Sequence, residues 1–347
     1  MLKSIKPSRK RWAFGPASVV AVVMLSASCS ASGNSGGDDL SSTDITLTVG
    51  VNPGGGQDAY ARFMAPYLGE ELGTKVTVAN QPGAGTLVAM NELAKGADDG
   101  SELVLNGGTA TITFPVTQPS VTKYDPSELK YLGRISSEPN VLYARADAPF
   151  DTIDEMIEQG GFRSGAASTG SQTYTDLLVV YYALGLEPDI ISGYQDSGET
   201  LLAMVRGEID AQTGSLSSAL EDLEANDFKA IAVLDHERAP ELPDVPTIFE
   251  AKSLSLDEDQ KTVLDTHISI LETGRIIMAP PGVSEETLTE LQDAFEAVVT
   301  DESVIGEAED ENLQIDPLTG QELTELMQQL STSLPEAYTD LVGSVAD

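Results

Sequence analysis

The residues best suited to bind a ligand form a glycine-rich segment at positions 52–58, Asn-Pro-Gly-Gly-Gly-Gln-Asp. The segment follows an alternating β-type run, 45–51, and opens an amphipathic run that contains Tyr60 and Phe63. Such a turn brings bare backbone N–H groups close to a ligand, and the helix behind it adds unpaired donors and the positive end of a dipole. The pattern therefore predicts an anion-binding turn in which Gly55 has a positive φ, although a tight turn without a ligand fits the same residues.

Strands and helices alternate along the rest of the chain. Apolar runs at 75–80 and 103–105 predict strands, each followed by a loop, 82–86 and 106–109, and a helical run. A second series of the same kind begins near the middle of the chain and includes a Ser/Thr/Gly loop at 164–173. Repeated strand, loop and helix units predict open, mainly parallel sheets that bind ligands at the carboxyl ends of their strands. We expect two α/β lobes with a cleft between them.

The N-terminal residues predict export and lipid attachment. A basic start precedes a short apolar run at 17–25 and Cys29, the only cysteine of the chain. The run is too short to cross a membrane as a mature helix and is typical of a secretory signal peptide, 1–28. The residues around Cys29 are similar to a bacterial lipobox, with Ser26 in place of the usual leucine, so we expect Cys29 to carry a lipid anchor. Residues 29–43, rich in Ser, Gly and Asp, predict a flexible tether.

The charge of the chain argues against nucleic acid as a partner. Without the signal peptide, 14 Lys and Arg residues remain against 56 Asp and Glu residues, which gives a formal charge of −42. Nucleic acid is therefore a poor partner, and because the acidic residues are spread along the chain rather than gathered in a tail, they suggest a solvating surface.

The residue pattern also argues against an enzyme, a cofactor and a metal site. We find no serine elbow with a His/Asp pair, no Walker A loop and no metal-ligand spacing, and Ala59 stands where a dinucleotide fingerprint ends in glycine. A Ser-x-x-Lys match at 120–123 lacks its partner motifs and is a chance match. His236 and His267 are isolated in sequence, and we expect both to be structural or surface residues.

Six short motifs resemble those of one known family in order and approximate spacing. They lie at 52–58, 80–85 (Asn-Gln-Pro-Gly-Ala-Gly), 124–126 (Tyr-Asp-Pro), 139–142 (Pro-Asn-Val-Leu), 207–210 (Gly-Glu-Ile-Asp) and 242–247 (Leu-Pro-Asp-Val-Pro-Thr). From about Ile45 to its C-terminus, the chain resembles the solute-binding proteins of tripartite tricarboxylate transporters, the TctC or Bug family. The resemblance implies a type II periplasmic-binding-protein fold, with two α/β lobes, a ligand cleft and a hinge.

The resemblance implies an extracytoplasmic solute-binding lipoprotein. It would capture a small carboxylate and deliver it to the large and small permease subunits of a secondary transporter. Lobe 1 would hold residues 44–142 and 275–347, and lobe 2 would hold residues 143–274. We expect an exported monomer without a cofactor, anchored to the cell membrane by its lipid and facing outside or the periplasm. A ligand-binding receptor on the same fold that signals to a membrane sensor is the alternative.

The resemblance also implies which residues bind the ligand. Backbone amides of the two glycine loops would hold one carboxylate, and residues of lobe 2 would select the rest of the molecule. The expected ligand-binding residues are Gly55, Gly56, Gln57, Asp58, Gly83, Ala84, Gly85, Asn106, Thr109, Ser168, Thr169, Ser171, Gln172, Thr173, Tyr194 and Ser215. Asp58 has an alternative role as a charge that caps its helix, and Ser168, Ser171 and Thr173 have one as turn or N-cap residues.

The chain departs from the family pattern mainly on the side that selects the ligand. Gln57, Tyr174 and Gln195 stand where the family often has Thr, His and Lys, and Gly214 stands where many members have Asp. Neutral hydrogen-bonding groups thus replace charged ones. The segment 252–271 is longer and more polar than the usual link of the family. The family therefore gives neither the identity of the ligand nor the role of this segment.

Overall fold

The computed structural model describes residues 40–194, 197–225 and 228–345. The predicted signal peptide, Cys29 and most of the predicted tether lie outside these residues, as does Gln195. The end of the tether region, Leu40–Ser42, forms a 3-10 turn in which Leu40 is fully buried. Within the described ranges, no helix is both long and apolar enough to cross a membrane.

Strands and helices alternate along most of the described residues. The strands are β1 (Ile45–Val49), β2 (Val76–Asn80), β3 (Glu102–Gly107), β4 (Lys130–Ser136), β5 (Asn140–Arg145), β6 (Ser164–Ala166), β7 (Ile190–Ser192), β8 (Ala211–Ser215), β9 (Phe228–Leu234), β10 (Arg275–Ala279) and β11 (Leu318–Thr319). The helices are α1 (Gly56–Glu71), α2 (Leu87–Leu93), α3 (Gly108–Thr117), α4 (Ile153–Gln159), α5 (Gln172–Leu184), α6 (Ser197–Val205), α7 (Leu216–Ala225), α8 (Glu258–Leu271), α9 (Glu285–Thr300), α10 (Glu302–Asp310), α11 (Gly320–Thr332) and α12 (Glu336–Gly343). The exceptions to the alternation are that β5 directly follows β4 and that two pairs of helices, α9 with α10 and α11 with α12, are consecutive.

The strands form two sheets. The first has the order β11-β4-β10-β3-β1-β2, in which β1 is parallel to β2 and β3, whereas β10 is antiparallel to β3 and β4, and β11 to β4. The second has the order β7-β6-β8-β5-β9, in which β6 is parallel to β7 and β8, whereas β5 is antiparallel to β8 and β9.

Both sheets are mixed: β10 and β11 run opposite to the other four strands of the first sheet, and β5 runs opposite to the other four strands of the second, so most strands are parallel as predicted but the sheets are not purely so. The antiparallel strands β5 and β10 are those that the chain enters from the other sheet. The crossing to β5 takes only residues 137–139, and the return to β10 follows α8. Neighbouring parallel strands are joined by a helix that crosses over their own sheet. Neither β5 nor β10 is reached through such a connection. Their direction is set by where the two crossings lie.

Buried apolar side chains join each sheet to its helices. Leu47, Phe63 and Phe295 belong to one cluster, between the first sheet and helices α1 and α9. Phe114 of α3 and Leu177 of α5 belong to a second cluster, and α8 and α12 pack against both of these helices. The last part of the chain therefore contacts helices that follow strands of both sheets.

The long polar segment 252–271 contains α8. The Asp257 carboxylate accepts a hydrogen bond from Gln260 N–H at 2.8 Å, and the Gln260 side chain accepts one from Asp257 N–H at 3.0 Å. This reciprocal cap starts the helix. The buried face of the helix includes Val263 and Ile268. The segment thus supplies the helix through which the chain returns to the first sheet.

A buried hydrogen-bond network lies where the chain crosses between the sheets. His267 of α8 lies 2.9 Å from Asp176 Oδ1 through Nε2, and 3.1 Å from the Tyr338 hydroxyl through Nδ1. Asp176 Oδ2 accepts hydrogen bonds from Asn140 Nδ2 at 2.5 Å and from Thr213 Oγ1 at 3.2 Å. All five residues are buried. The network ties α5, α8 and α12 to the start of β5, which confirms a structural role for His267.

Candidate functional site

The first glycine loop joins β1 to α1. Gly54 has a φ of 96°, a left-handed conformation that favours glycine, whereas Gly55 has a φ of −83°. The prediction of a positive φ at Gly55 is therefore wrong, because the neighbouring glycine takes it. The first hydrogen bond of α1 runs from Ala59 N–H to the Gly55 carbonyl at 3.0 Å. The amides of Gly56 and Gln57 precede it, at the end of a helix where N–H groups lack intrahelical partners.

Asp58 fixes the shape of this loop. Its Oδ2 accepts hydrogen bonds from Gly54 N–H and Arg62 Nε, both at 2.8 Å, and its Oδ1 accepts one from Asn80 Nδ2 at 2.8 Å. Burial raises the pKa of Asp58, but the hydrogen bonds from Arg62, Asn80 and Gly54 outweigh it and hold the pKa below its usual value. These contacts fit the alternative in which Asp58 stabilises the loop and the helix start. Direct contact with a ligand stays a prediction.

The second glycine loop, 82–86, has an unusual backbone. All four residues from Gly83 to Thr86 have a positive φ, including the β-branched Thr86 at 88°. Such strain is costly and concentrates at functional sites. Gly50, just after β1, leaves the room that this backbone needs, since a Cβ built there would lie 2.7 Å from Thr86 Cβ. The two glycine loops therefore pack directly against each other.

β3 runs into α3 without a loop, so the predicted loop at 106–109 is wrong. Asn106 and Gly107 end the strand, and the helix follows at once. Asn106 and Thr109 are buried. Asn106 Nδ2 donates a hydrogen bond to Thr111 Oγ1 at 3.3 Å, but Asn106 Oδ1 is buried and has no hydrogen-bond partner among the described residues. A buried acceptor of this kind is available to a donor group of a ligand.

Two glutamine side chains meet beside Gly107. A Cβ built on Gly107 would lie 3.3 Å from Gln172 Oε1 and 3.6 Å from Gln57 Nε2. Gln57 lies in the first turn of α1, which follows a strand of the first sheet, and Gln172 begins α5, which follows a strand of the second. Gln57 Oε1 is buried, and no described residue hydrogen-bonds to it. Polar groups attached to both sheets thus converge on one point.

Ser168 and Ser171 lie in the loop before α5, and their hydroxyl groups differ in their hydrogen-bond partners. Ser171 caps the helix, because its hydroxyl donates to the Ser168 carbonyl at 2.8 Å and accepts from Tyr174 N–H at 3.4 Å. Ser168 Oγ is buried without a hydrogen-bond partner in the described part of the chain, and a Cβ built on Gly85 would lie 2.7 Å from it. The N-cap alternative fits Ser171, whereas Ser168 has an open hydroxyl beside the second glycine loop. The neighbouring Thr169, Gln172 and Thr173 are half-buried.

The two remaining predicted residues lie at strand ends of the second sheet. Ser215 ends β8, and its Oγ accepts a hydrogen bond from Arg275 Nη2 at 3.3 Å and donates one to Ser218 Oγ at 3.2 Å. Tyr194 follows β7 and is half-buried, with Cε2 3.0 Å from a Cβ built on Gly165. Ser215 therefore contacts the first sheet through Arg275, whereas Tyr194 lies beside Gly165, a residue of the second sheet.

Arg275, the first residue of β10, is a residue of this region that the sequence did not reveal. Its Nη1 lies 2.5 Å from Glu138 Oε1, and its guanidinium carbon lies 4.5 Å from the centre of the Tyr60 ring. Its Nη2 lies 3.8 Å from a Cβ built on Gly56, at the start of α1. The Arg275 side chain is 12% exposed and that of Glu138 is 4% exposed. A buried ion pair thus lies against the first glycine loop.

Comparison with known proteins identifies the family. The model of the tripartite tricarboxylate transporter family receptor matches residues 60–334, more than three quarters of the chain. The chain belongs to this family. One relative of the receptor, a UPF0065 protein of Bordetella pertussis, is 28% identical over 268 residues, which cover 76% of this chain and 78% of that protein. As a member of a family of solute-binding receptors, the protein is not an enzyme.

Solved structures share the fold of this receptor. MatC from Rhodopseudomonas palustris with bound malate has a TM-score of 0.71 at 22% identity, covering 87% of this chain and 99% of that chain. Rpa4515 of R. palustris with adipate has a TM-score of 0.72 at 20% identity, covering 88% and 98%. These similarities, together with the two mixed sheets, confirm the two-lobe α/β fold predicted from the sequence.

Proposed function

We propose that the protein is an exported receptor that captures a small carboxylate between its two lobes and delivers it to the large and small permease subunits of a tripartite transporter. The observation that carries this proposal is the convergence of open polar groups near Gly107. Gln57 and the N-terminus of α1 approach from the first sheet, and Gln172 from the second. A ligand in this position would contact both lobes, as a receptor that closes on its ligand requires.

The amides at the start of α1 suit a carboxylate. A charge-assisted hydrogen bond to such a group contributes about 1.5–3 kcal/mol. The strong negative charge of the chain opposes this only weakly, because charges more than about 8 Å away are screened at physiological salt. Malate and adipate, present in the two similar structures, are both small carboxylates, which supports the same class of ligand here. We propose the sixteen residues expected from the sequence as the ligand-binding site.

We expect a thermal-shift screen of residues 30–347, which keep the buried Leu40, to detect the ligand. A ligand present at about 100 times its dissociation constant adds about 2.7 kcal/mol to the free energy of unfolding. At least one acid in a panel of mono-, di- and tricarboxylates should therefore raise the melting temperature clearly. Neutral sugars and amines serve as controls. A panel in which only the controls stabilise the protein would contradict the proposed function.

We further propose that Cys29 carries the lipid anchor and that the mature protein is a monomer. Lobe 1 would comprise 44–142 and 275–347, and lobe 2 would comprise 143–274. Replacing Cys29 with Ser removes the thiol to which a lipid is attached, so the full-length variant should move from the membrane fraction to the soluble fraction. Ser32→Ala, in the same tether, should stay at the membrane. Retention of Cys29→Ser at the membrane would exclude the anchor.

A further inference from the structure

Arg275 lies beside the start of α1, where the proposed site binds a ligand carboxylate. Its Nη2 is 3.8 Å from the Cβ position of Gly56. A backbone nitrogen lies about 2.5 Å from the Cβ position of its own residue, so Nη2 is at most about 6 Å from the Gly56 amide. The two oxygens of a carboxylate are about 2 Å apart and accept hydrogen bonds of about 3 Å, so a carboxylate can join donors up to about 8 Å apart. A carboxylate at the start of α1 is therefore within reach of Arg275.

The guanidinium of Arg275 has one edge without a partner among the described residues. Nη1 contacts Glu138 Oε1 at 2.5 Å and Ser136 Oγ at 3.3 Å, and one of the two N–H groups of Nη2 donates to Ser215 Oγ at 3.3 Å. No described residue accepts a hydrogen bond from Nε. Stacking on the Tyr60 ring holds the plane of the guanidinium. The edge formed by Nε and Nη2 is therefore available, and arginine binds carboxylates through two parallel hydrogen bonds of this kind.

Glu138 occupies the other side of the guanidinium in the way that a bound carboxylate would. Its Oε2 accepts a hydrogen bond from Ser217 N–H at 2.7 Å, and its Oε1 accepts one from Ser217 Oγ at 3.0 Å. Ser217 lies in the first turn of α7. Glu138 is thus a carboxylate of the chain itself that a helix start and an arginine hold together.

The ion pair brings charges of both signs close to a site that otherwise lacks a cation. None of the sixteen proposed ligand-binding residues is Lys or Arg, and one of them, Asp58, is an acid. The Arg275 and Glu138 side chains are largely buried, so solvent and salt weaken their effect on a neighbouring charge less than at the surface. Arg275 attracts a carboxylate at the start of α1, and Glu138 repels it.

We propose that Arg275 binds the ligand carboxylate together with the amides of α1 and that Glu138 competes with the ligand for this cation, an inference that rests on the carboxylate-binding function proposed above. The competition lowers the affinity for the ligand. When the ligand leaves, Arg275 keeps Glu138 as its partner and does not become a buried unpaired cation, which would be costly. Glu138 thereby favours the release that a receptor must achieve when it delivers its ligand.

The test measures dissociation constants for butyrate, succinate, adipate and citrate by calorimetric titration. Glu138→Gln removes the competing charge and keeps the shape of the side chain, so it should bind each acid that wild type binds about tenfold more tightly. Arg275→Met/Glu138→Gln also removes the cation and leaves no buried unpaired carboxylate, so it should bind these acids about tenfold more weakly than wild type. Arg206→Met/Glu208→Gln makes the same changes at an exposed ion pair and should leave all affinities unchanged.

Ionic strength provides a second readout. Salt screens the attraction between a cation and an anionic ligand. The affinity of Glu138→Gln for the acids should therefore fall as the salt concentration rises, because Arg275 is no longer neutralised. The affinity of Arg275→Met/Glu138→Gln should show no such fall.

Opposite shifts in affinity support the inference, because a purely structural ion pair would weaken binding in both variants. Weaker or unchanged binding by Glu138→Gln, or unchanged binding by Arg275→Met/Glu138→Gln, would overturn it. If wild type binds none of the four acids, Glu138→Gln should bind at least one. Absence of binding by both proteins would overturn the inference, whereas the proposed function would still stand if another carboxylate stabilised wild type in the thermal-shift screen. Melting curves establish that each variant is folded.

Discussion

Gly107→Val is expected to weaken carboxylate binding about 100-fold or more while leaving the melting temperature close to that of wild type. Gly107 has φ −76° and ψ 133°, an extended conformation that a β-branched residue adopts without strain. Its new Cβ would lie 3.3 Å from Gln172 Oε1 and 3.6 Å from Gln57 Nε2, so the added side chain would occupy space beside these two amides. Calorimetric titration with the acid that wild type binds most tightly measures the loss.

Gly306→Val provides the matched control for this experiment. Gly306 lies in α10, and no atom lies within 4 Å of the Cβ that the substitution would add. The same chemical change there should leave binding unaffected. Wild-type affinity in a folded Gly107→Val protein would show that the ligand does not occupy the space beside Gly107.

Asp58→Asn is expected to lower the free energy of unfolding by about 2–3 kcal/mol at pH 7. The substitution keeps the shape of the side chain but replaces one accepting oxygen with an NH₂ group. At the position of Oδ2 that group cannot accept the hydrogen bonds that Gly54 and Arg62 now donate, and at the position of Oδ1 it cannot accept the one that Asn80 donates, so one side of the carboxylate loses its partners. Chemical denaturation measures the loss. Asp293→Asn, an exposed position on α9, should change stability little, and equal stability of the two variants would contradict the role assigned to Asp58.

The stability difference between wild type and Asp58→Asn should also depend on pH. The pKa of Asp58 is lowered in the folded protein, so its carboxylate stabilises the fold fully above the pKa of the unfolded chain, about 4. This contribution is lost as the pH falls through the lower pKa of the folded state. The difference should therefore be constant between about pH 7 and pH 5 and shrink below about pH 4. A difference that grows on acidification would contradict the lowered pKa.

The glycine loops were predictable because their signals are local. The alternating run before residue 52 and the amphipathic run after residue 57 bracket the loop, and the structure places β1 and α1 on either side of it. The choice between Gly54 and Gly55 for the positive φ was not predictable. It depends on the hydrogen bond that Asp58 accepts from Gly54 N–H, a contact that the composition of the loop does not specify.

Features that depend on distant parts of the chain could not be predicted. Arg275 has no motif around it, and its neighbours Glu138, Tyr60 and Gly107 come from three distant parts of the chain, which are the connection between β4 and β5, helix α1 and strand β3. Its position follows from the antiparallel direction of β10, which is set by the return of the chain from the second sheet. The same holds for the convergence of Gln57 and Gln172, which requires the packing of α1 and α5 around one strand end.

Carboxylate recognition is the central claim, and calorimetric titration with an acid and its neutral amide tests it most directly. The acid is the one that stabilises the protein most in the thermal-shift screen, and the amide replaces each carboxylate with a carboxamide of nearly the same shape. We predict that the acid binds and that the amide binds about 100-fold more weakly or not at all, because the neutral group forms weaker hydrogen bonds to backbone N–H groups and none of the charge-assisted ones. Equal affinities for the acid and the amide would contradict the claim.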